Sequence, residues 1–286
     1  MKKIVKTSGT SKGNQKTVTI DTNQRYNKTH KIKSERNLKT IASLYSKDSW
    51  ANLNIQLFSK KNDLKVVNLN SITEIFDKKI DVLCLTPSQL VQASMSMKIN
   101  RNVKQVTLGG EYSTQDIINK AKVMFPEARI THVYSSTETG DICSSSDMKE
   151  GFAEEKFKDF DVSEKNIKIN NLVLNDMWIL KKGRYYFAGR SDSVINIAGK
   201  KVNIEKIERK ILDMKICDDC NIFTKKQKIT GNILMMEYVG SIEKNDLKKI
   251  LKNNFEKYEI PLLIKVSKIN LNSNGKKKRV QLKWIY

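Results

Sequence analysis

The sequence predicts an α/β protein with a parallel-sheet N-terminal part, a small β subdomain and a small α+β domain at the C-terminus. Three observations carry this. Short β-branched runs alternate with helical patterns up to about residue 134, strand patterns dominate from Asn166, and a helix-strand-strand-helix-strand series follows Asp192.

Strands are expected at 18–20, 64–67, 80–85, 103–108 and 130–134, where Val, Ile and Leu recur in runs of strand length. Between them, 71–77 opens with a Ser71/Glu74 capping box, 87–97 starts on Pro87, and 113–125 has helical periodicity. Strand-helix alternation implies a mainly parallel, helix-covered sheet. Further on, 167–174 and 178–187 read as strands, with Lys181-Lys182-Gly183 turning the latter back on itself. The last part reads as helix 204–214, strands 221–224 and 233–239, helix 244–255 and a strand near 262–266. The expected domains are therefore 1–190 and 191–286, with a hinge at 190–193.

A chain of 286 residues can bury a real core. Lys and Arg total 53 against 31 Asp and Glu, a formal charge of +22. Nucleic acid is the usual partner of such an excess. Here lysine is spread over nearly every helix and no recognition-helix, zinc-finger or RNA-platform pattern occurs, so the charge reads better as a background trait, or as attraction toward an acidic protein or a phosphorylated cofactor. The four cysteines are too few for a disulfide scaffold, and Cys217-Asp218-Asp219-Cys220 lacks a second ligand pair for zinc. With no apolar run of membrane-spanning length and no signal-peptide pattern, a cytoplasmic protein without a membrane partner is expected.

Two polar signatures have the groups that phosphate chemistry needs, although each taken alone reads more simply as a solvated turn or loop. In Thr7-Ser8-Gly9-Thr10-Ser11-Lys12-Gly13, glycines permit a tight anion-binding turn, hydroxyls and backbone N–H groups can cradle phosphate oxygens, and Lys12 or Lys16 adds positive charge. In Tyr134-Ser135-Ser136-Thr137-Glu138-Thr139-Gly140, which follows an expected strand, Thr137 offers a hydroxyl to a phosphate oxygen and Glu138 is a hard anionic ligand for Mg²⁺. Ligands bind at the C-terminal ends of strands in open α/β sheets.

Together with Asp176, Gly189-Arg190-Ser191-Asp192 and Asn274-Gly275-Lys276, these signatures resemble, in order, the core motifs of the adenylate-forming superfamily: acyl-CoA synthetases, nonribosomal-peptide adenylation domains and luciferases. The resemblance runs over essentially the whole chain. It implies ATP-dependent adenylation of a carboxylic acid, releasing pyrophosphate, and then transfer to a thiol. Thr7, Ser8, Gly9, Thr10, Ser11 and Lys16 would hold the β- and γ-phosphates, and Gly109, Gly110 and Glu111 would flank the adenine and acyl sites. Tyr134 would stack on adenine beside Ser135 and Ser136, Thr137 would contact the α-phosphate and Glu138 would bind Mg²⁺. Asp176 would accept from the ribose hydroxyls, Arg190 would reach the ribose or phosphate, and Asp192 would be the hinge. Lys276, on a mobile C-terminal domain, would bridge the carboxylate and the α-phosphate as charge develops. Gly199, Lys200 and Lys201 would form a loop lining the path of the thiol, which belongs to CoA or to the phosphopantetheine of an acidic acyl carrier protein; CoA is placed slightly ahead.

The resemblance also has departures. The phosphate loop starts at residue 7, and 140–175 is short for the family, which implies a member lacking the N-terminal subdomain that walls part of the acyl pocket. Three readings stay open: a minimal enzyme, an enzyme completed by a second protein or a second copy, and a relative that only binds nucleotide. Gln15, Thr17, Ser135 and Asn175 stand where proline or glycine is usual. Glu138, Asp176, Arg190 and Lys276 are all present, which favours the working enzyme.

Overall fold

The computed structural model describes residues 2–6, 17–29, 37–197, 199–227 and 231–278; Thr7, Ser8, Gly9, Thr10, Ser11 and Lys16 lie outside them. Two compact units divide the chain. Among the described residues the first takes everything up to Phe157 together with Leu271–Lys276, and the second takes Lys158–Asn270 with the residues that follow Lys276. The expected boundary near residue 190 thus falls inside the second unit.

The first unit opens with an antiparallel pair, β1 (Lys2–Lys6) and β2 (Thr17–Asp21), and helix α1 (Thr22–Lys28), capped by Asp21. Then come β3 (Thr40–Ser43), α2 (Trp50–Lys61), β4 (Lys65–Asn68), β5 (Val82–Leu85), α3 (Pro87–Ser94), β6 (Gln105–Leu108), α4 (Gln115–Met124), β7 (Arg129–Ser136) and β8 (Gly140–Ser145). Its six-stranded sheet has the order β4-β3-β5-β6-β7-β8, parallel throughout except for β8.

Burial explains the alternation. β5 is apolar at every position because both its faces are covered. Leu83 and Leu85 join Val106, Leu108 and Ile130 against Leu90, Ile118 and Phe125, whereas Val82 and Cys84 meet Ile41 and Ile55 of the α2 side. On that second face β6 turns polar, with Gln105 and Thr107 half-buried, and the apolar covering gives way.

Polar side chains set the element ends. Ser49, Thr86 and Thr114 cap α2, α3 and α4, and Thr86 and Gln89 form a full capping box with Pro87 at the first turn. The box expected at Ser71/Glu74 does not form. Residues Ile72–Ile75 make one 3-10 turn, the Ser71 hydroxyl meets that of Thr73, and Glu74 pairs with Lys78. Four residues are too few to repay a capped α-helix.

Buried Asp81 joins the starts of two strands. Its carboxylate accepts from the N–H groups of Lys39 and Thr40 and from the Thr40 hydroxyl, and pairs with Lys104 at 3.1 Å. Burial alone would raise its pKa, but these donors outweigh it and hold the carboxyl below its ordinary value. A depressed folded pKa gives stability that is complete above the unfolded value and lost as pH falls through the folded one. Asp81→Ala is expected to cost about 2 kcal/mol in urea unfolding at pH 7 and to flatten the acid limb below pH 4. An unchanged midpoint would contradict this role.

The last strand of the first unit is β9 (Phe152–Ala153). The second begins with an antiparallel sheet of β10 (Asp161–Val162), β11 (Ile167–Ile169) and β12 (Leu172–Leu174). The single strand expected at 167–174 is therefore a hairpin, turned by Asn170 at φ 55°. Next, β13 (Asp176–Lys181) and β14 (Arg184–Arg190) pair around the expected Lys182-Gly183 turn. A second hairpin, β15 (Val194–Ile197) and β16 (Lys200–Asn203), leads into α5 (Ile204–Asp213), β17 (Asp219–Gln227), β18 (Gly231–Val239), α6 (Lys244–Asn254) and β19 (Leu262–Lys265). The last three strands form a sheet whose core holds Ile207, Ile211, Ile222, Met236, Leu247 and Leu251.

Candidate active site

The first unit contains a cavity of about 630 Å³ that runs along one face of its sheet, from Gln105 and Arg129 at strand starts to the C-terminal ends of the parallel strands. β5 contributes Thr86, β6 Gly109 and Gly110, and β7 Ser135, Ser136 and Thr137; Lys276 reaches the same cavity. One wall is apolar and aromatic, with Tyr45 and Trp50, and another carries the hydroxyls of Thr107 and Thr131. Volume and lining suit a small-molecule site.

Lys276 enters on a tight turn. Asn272 shapes it, its side-chain oxygen accepting from the N–H groups of Asn274 and Lys276 and its N–H donating to the Lys276 carbonyl at 2.7 Å. Gly275 sits at φ 71° against Gln89, where a Cβ would collide with the amide. Gly110 has φ 85°, and a Cβ there would stand 3.3 Å from Lys276 Cε, so the lysine stem lies across this glycine.

The loop after β7 is held from below. Ser136 and Thr139 share a hydroxyl contact of 2.9 Å, and the Ser136 oxygen also accepts from Thr139 N–H. Arg25 of α1 stacks 4.4 Å over Trp50, donates to the Thr139 carbonyl, and fills the space that a side chain on Gly140 would need. Burial lowers the Arg25 pKa, with Asp141 opposing. Glu138 is exposed, makes no ion pair among the described residues, and is not part of the cavity lining. Tyr134 lies parallel to Phe157 at 6.5 Å and against Phe152. Glu111 accepts from Ser88 N–H in the first turn of α3.

In the second unit, Asp176, Arg190 and Asp192 form one network. The Arg190 guanidinium meets Asp176 at 2.8 Å and clasps Asp192 with two bonds of 2.9 and 3.0 Å. Burial opposes the arginine's charge, but both carboxylates outweigh it and raise its pKa; Arg190 in turn holds Asp192 low against that residue's own burial. The Arg190 N–H donates to Glu205, fixing the end of β14. The loop expected at Gly199, Lys200 and Lys201 is largely strand: Gly199 alone forms the tip at φ 84°, while both lysines begin β16 and are exposed.

Sequence reasoning missed Arg25, Tyr45, Asp141 and the turn-shaping Asn272. Arg25 lies in a helix that is polar all round and gives no periodic signal. α2 had a legible start, Ser49 ahead of Trp50, Leu53 and Leu57 at helical spacing.

Burial pushes the Cys84 and Cys143 thiols up to about 12, while a hydrogen bond from Cys220 lowers Cys217 and leaves Cys220 raised. At pH 8 only on the order of one in 10⁴ Cys84 or Cys143 side chains is thiolate, so iodoacetamide should modify Cys217 first. Equal rates of labelling, read by peptide mass, would contradict this. Among the described residues no group of three or more His, Cys, Asp or Glu is arranged to hold a metal ion, and no helix is long and apolar enough to cross a membrane.

No protein-family profile matches the chain. It is 22% identical to Bacitracin synthase 1 of Bacillus licheniformis, over 74% of this chain and 5% of that protein. Over 40% of this chain and 28% of the relative, it is 24% identical to the 3,4-dihydroxybenzoate--[aryl-carrier protein] ligase of Bacillus anthracis. Among solved structures, Escherichia coli MenE with bound OSB-AMS superposes with a TM-score of 0.72 at 14% identity, covering 92% of this chain and 64% of MenE. The O-succinylbenzoate coenzyme A synthetase of Bacillus subtilis, solved with ATP and a magnesium ion, gives 0.64 at 14% identity, covering 96% and 68%. A parallel sheet with a cavity reaching the strand ends, a β subdomain and an α+β end define an adenylate-forming fold. The chain shares that fold with these solved enzymes, and its sequence is similar to a bacitracin synthase and an aryl-carrier ligase. It spans about two thirds of the solved relatives and far less of the curated ones.

Proposed function

We propose that the chain activates a carboxylic acid with ATP, forming an acyl-adenylate and pyrophosphate, and passes the acyl group to a thiol. One observation carries this reading: Lys276, Thr137 and the Gly109-Gly110 turn line a single cavity where it reaches the carboxyl ends of parallel strands. An attacking carboxylate and an α-phosphate are both anionic, so bringing them together needs a cation that is already oriented. The Lys276 ammonium, steered across Gly110, supplies it, and the Thr137 hydroxyl donates to an α-phosphate oxygen as its charge grows. Burial keeps the Tyr45 and Cys84 side chains of this cavity neutral, so neither competes as a nucleophile or repels the acid.

Glu138, next to the cavity-lining Thr137, is the residue proposed to hold magnesium. Glu138 offers one exposed carboxylate, and phosphate oxygens and water complete the shell, which is how Mg²⁺ is usually held. When bound, the ion neutralises phosphate charge. In the second unit, Asp176 is proposed for the ribose hydroxyls, with Arg190 fixing its carboxylate and reaching ribose or phosphate, and Asp192 for the hinge. Tyr134 is proposed for adenine, and Gly199, Lys200 and Lys201 for the thiol's path. The acceptor is CoA or a carrier protein's phosphopantetheine, and the aryl-carrier ligase among the sequence relatives supports the latter.

ATP–pyrophosphate exchange over a panel of benzoic, hydroxybenzoic, dicarboxylic and linear fatty acids tests the reading. Exchange that depends on one acid class is expected. Nucleotide binding without exchange on any acid would instead indicate a non-catalytic nucleotide-binding subunit, and exchange only after adding a second polypeptide would indicate an enzyme completed by a partner.

A further inference from the structure

The Thr86 hydroxyl stands where two structures meet. It accepts from Gln89 N–H at 3.1 Å, as the N-cap of α3, and donates to the Gly275 carbonyl at 2.5 Å, one residue before Lys276. Thr86 is fully buried. A hydroxyl has one donor and two acceptor sites, so a single side chain serves both bonds. Gln89 completes the cradle: its side-chain oxygen accepts from Thr86 N–H, its Nε2 donates to the Leu44 carbonyl, and its amide packs against Gly275.

We propose that Thr86 is a positioning residue for adenylation, its hydroxyl latching the 272–276 turn so that Lys276 is presented over Gly110. This rests on the role given above to Lys276. The turn's own bonds, Gly275 N–H to the Asn272 carbonyl and Lys276 N–H to the Asn272 side chain, fix its shape but not its place. Thr86 is the described side chain that hydrogen-bonds its backbone from the sheet end. It touches no reacting atom in this scheme; it sets the fraction of molecules in which the ammonium is aimed.

The test compares Thr86→Val, which keeps the volume and removes the hydroxyl, with Thr86→Ser, which keeps the hydroxyl, in the full chain. Amide hydrogen exchange in 272–276, with and without MgATP, reads the latch directly and needs no acid or turnover. ATP–pyrophosphate exchange, with the acid class that supports it in the wild type, reads the consequence. The valine variant should exchange these amides roughly tenfold faster and lose about five- to tenfold in kcat, with KM for ATP within about twofold, because the lost bond orders a transition-state contact. The serine variant should match the wild type on both. Valine with wild-type amide exchange overturns the proposal, as does slowed turnover without faster amide exchange. Should the valine variant fail to fold, serine decides: a folded serine variant whose 272–276 amides exchange freely, while those of α3 stay protected, also overturns it. Since amide exchange requires no catalysis, a chain that adenylates nothing would sink the functional reading and leave the latch intact.

Discussion

Lys276→Ala should lower acid-dependent ATP–pyrophosphate exchange by about 10²- to 10³-fold, the range seen when one preorganised donor to developing charge is removed. ATP binding, measured by calorimetry, should change little, because the β- and γ-phosphates are assigned to other groups. Thermal stability should stay within about 0.5 kcal/mol, since this side chain crosses a cavity rather than filling a core. Equal turnover in variant and wild type would remove the lysine from the mechanism. An equal loss of binding and turnover would make it a nucleotide-binding group rather than a transition-state one.

The next residue should behave in the opposite way. Lys277→Ala is expected to destabilise the chain by about 3–5 kcal/mol, the usual result of leaving buried charge unpaired. The Lys277 ammonium lies 2.7 Å from Asp219, 3.2 Å from Glu208 and 2.5 Å from the Cys220 carbonyl, and all three side chains are at most one-tenth exposed. Glu208 also accepts from Ile222 N–H, which ties α5 to β17. Burial opposes the charge on Lys277, yet Glu208 and Asp219 more than compensate and raise its pKa. A raised lysine contributes stability that is complete below its unfolded pKa and is lost only as pH rises through the folded one, so no loss should occur at neutral pH. Urea unfolding of the two alanine variants gives the comparison. If Lys277→Ala unfolds at the wild-type midpoint, the buried pairing does not hold the C-terminal segment.

Two adjacent lysines with opposite proposed roles show where sequence reading stops. Asn274-Gly275-Lys276 stood out in the sequence because it follows the other signatures in order, and the structure leaves Gly275 no room for a side chain. Lys277 was not, since Glu208 and Asp219 come from a helix face and a strand start that one sequence does not register against each other. The parallel sheet was readable from apolar runs such as 80–85, buried on both faces. α1 was not, since Thr22–Lys28 has no apolar stripe. Tertiary context also redirected local signals: Thr86, not Ser71, carries the capping box, and the same hydroxyl holds the lysine turn. Lys200 and Lys201 read as loop because their glycine neighbour marks a turn, although the turn is only a hairpin tip.

Analysis of the nucleotide product tests the central claim most directly. With ATP labelled at the α-phosphate, an acid that supports exchange, and hydroxylamine to trap the activated carboxyl, the account predicts AMP and an acyl-hydroxamate in equal amounts, both formed about 10²- to 10³-fold more slowly in Lys276→Ala. ADP as the product, or AMP formed at the same rate without acid, would contradict it.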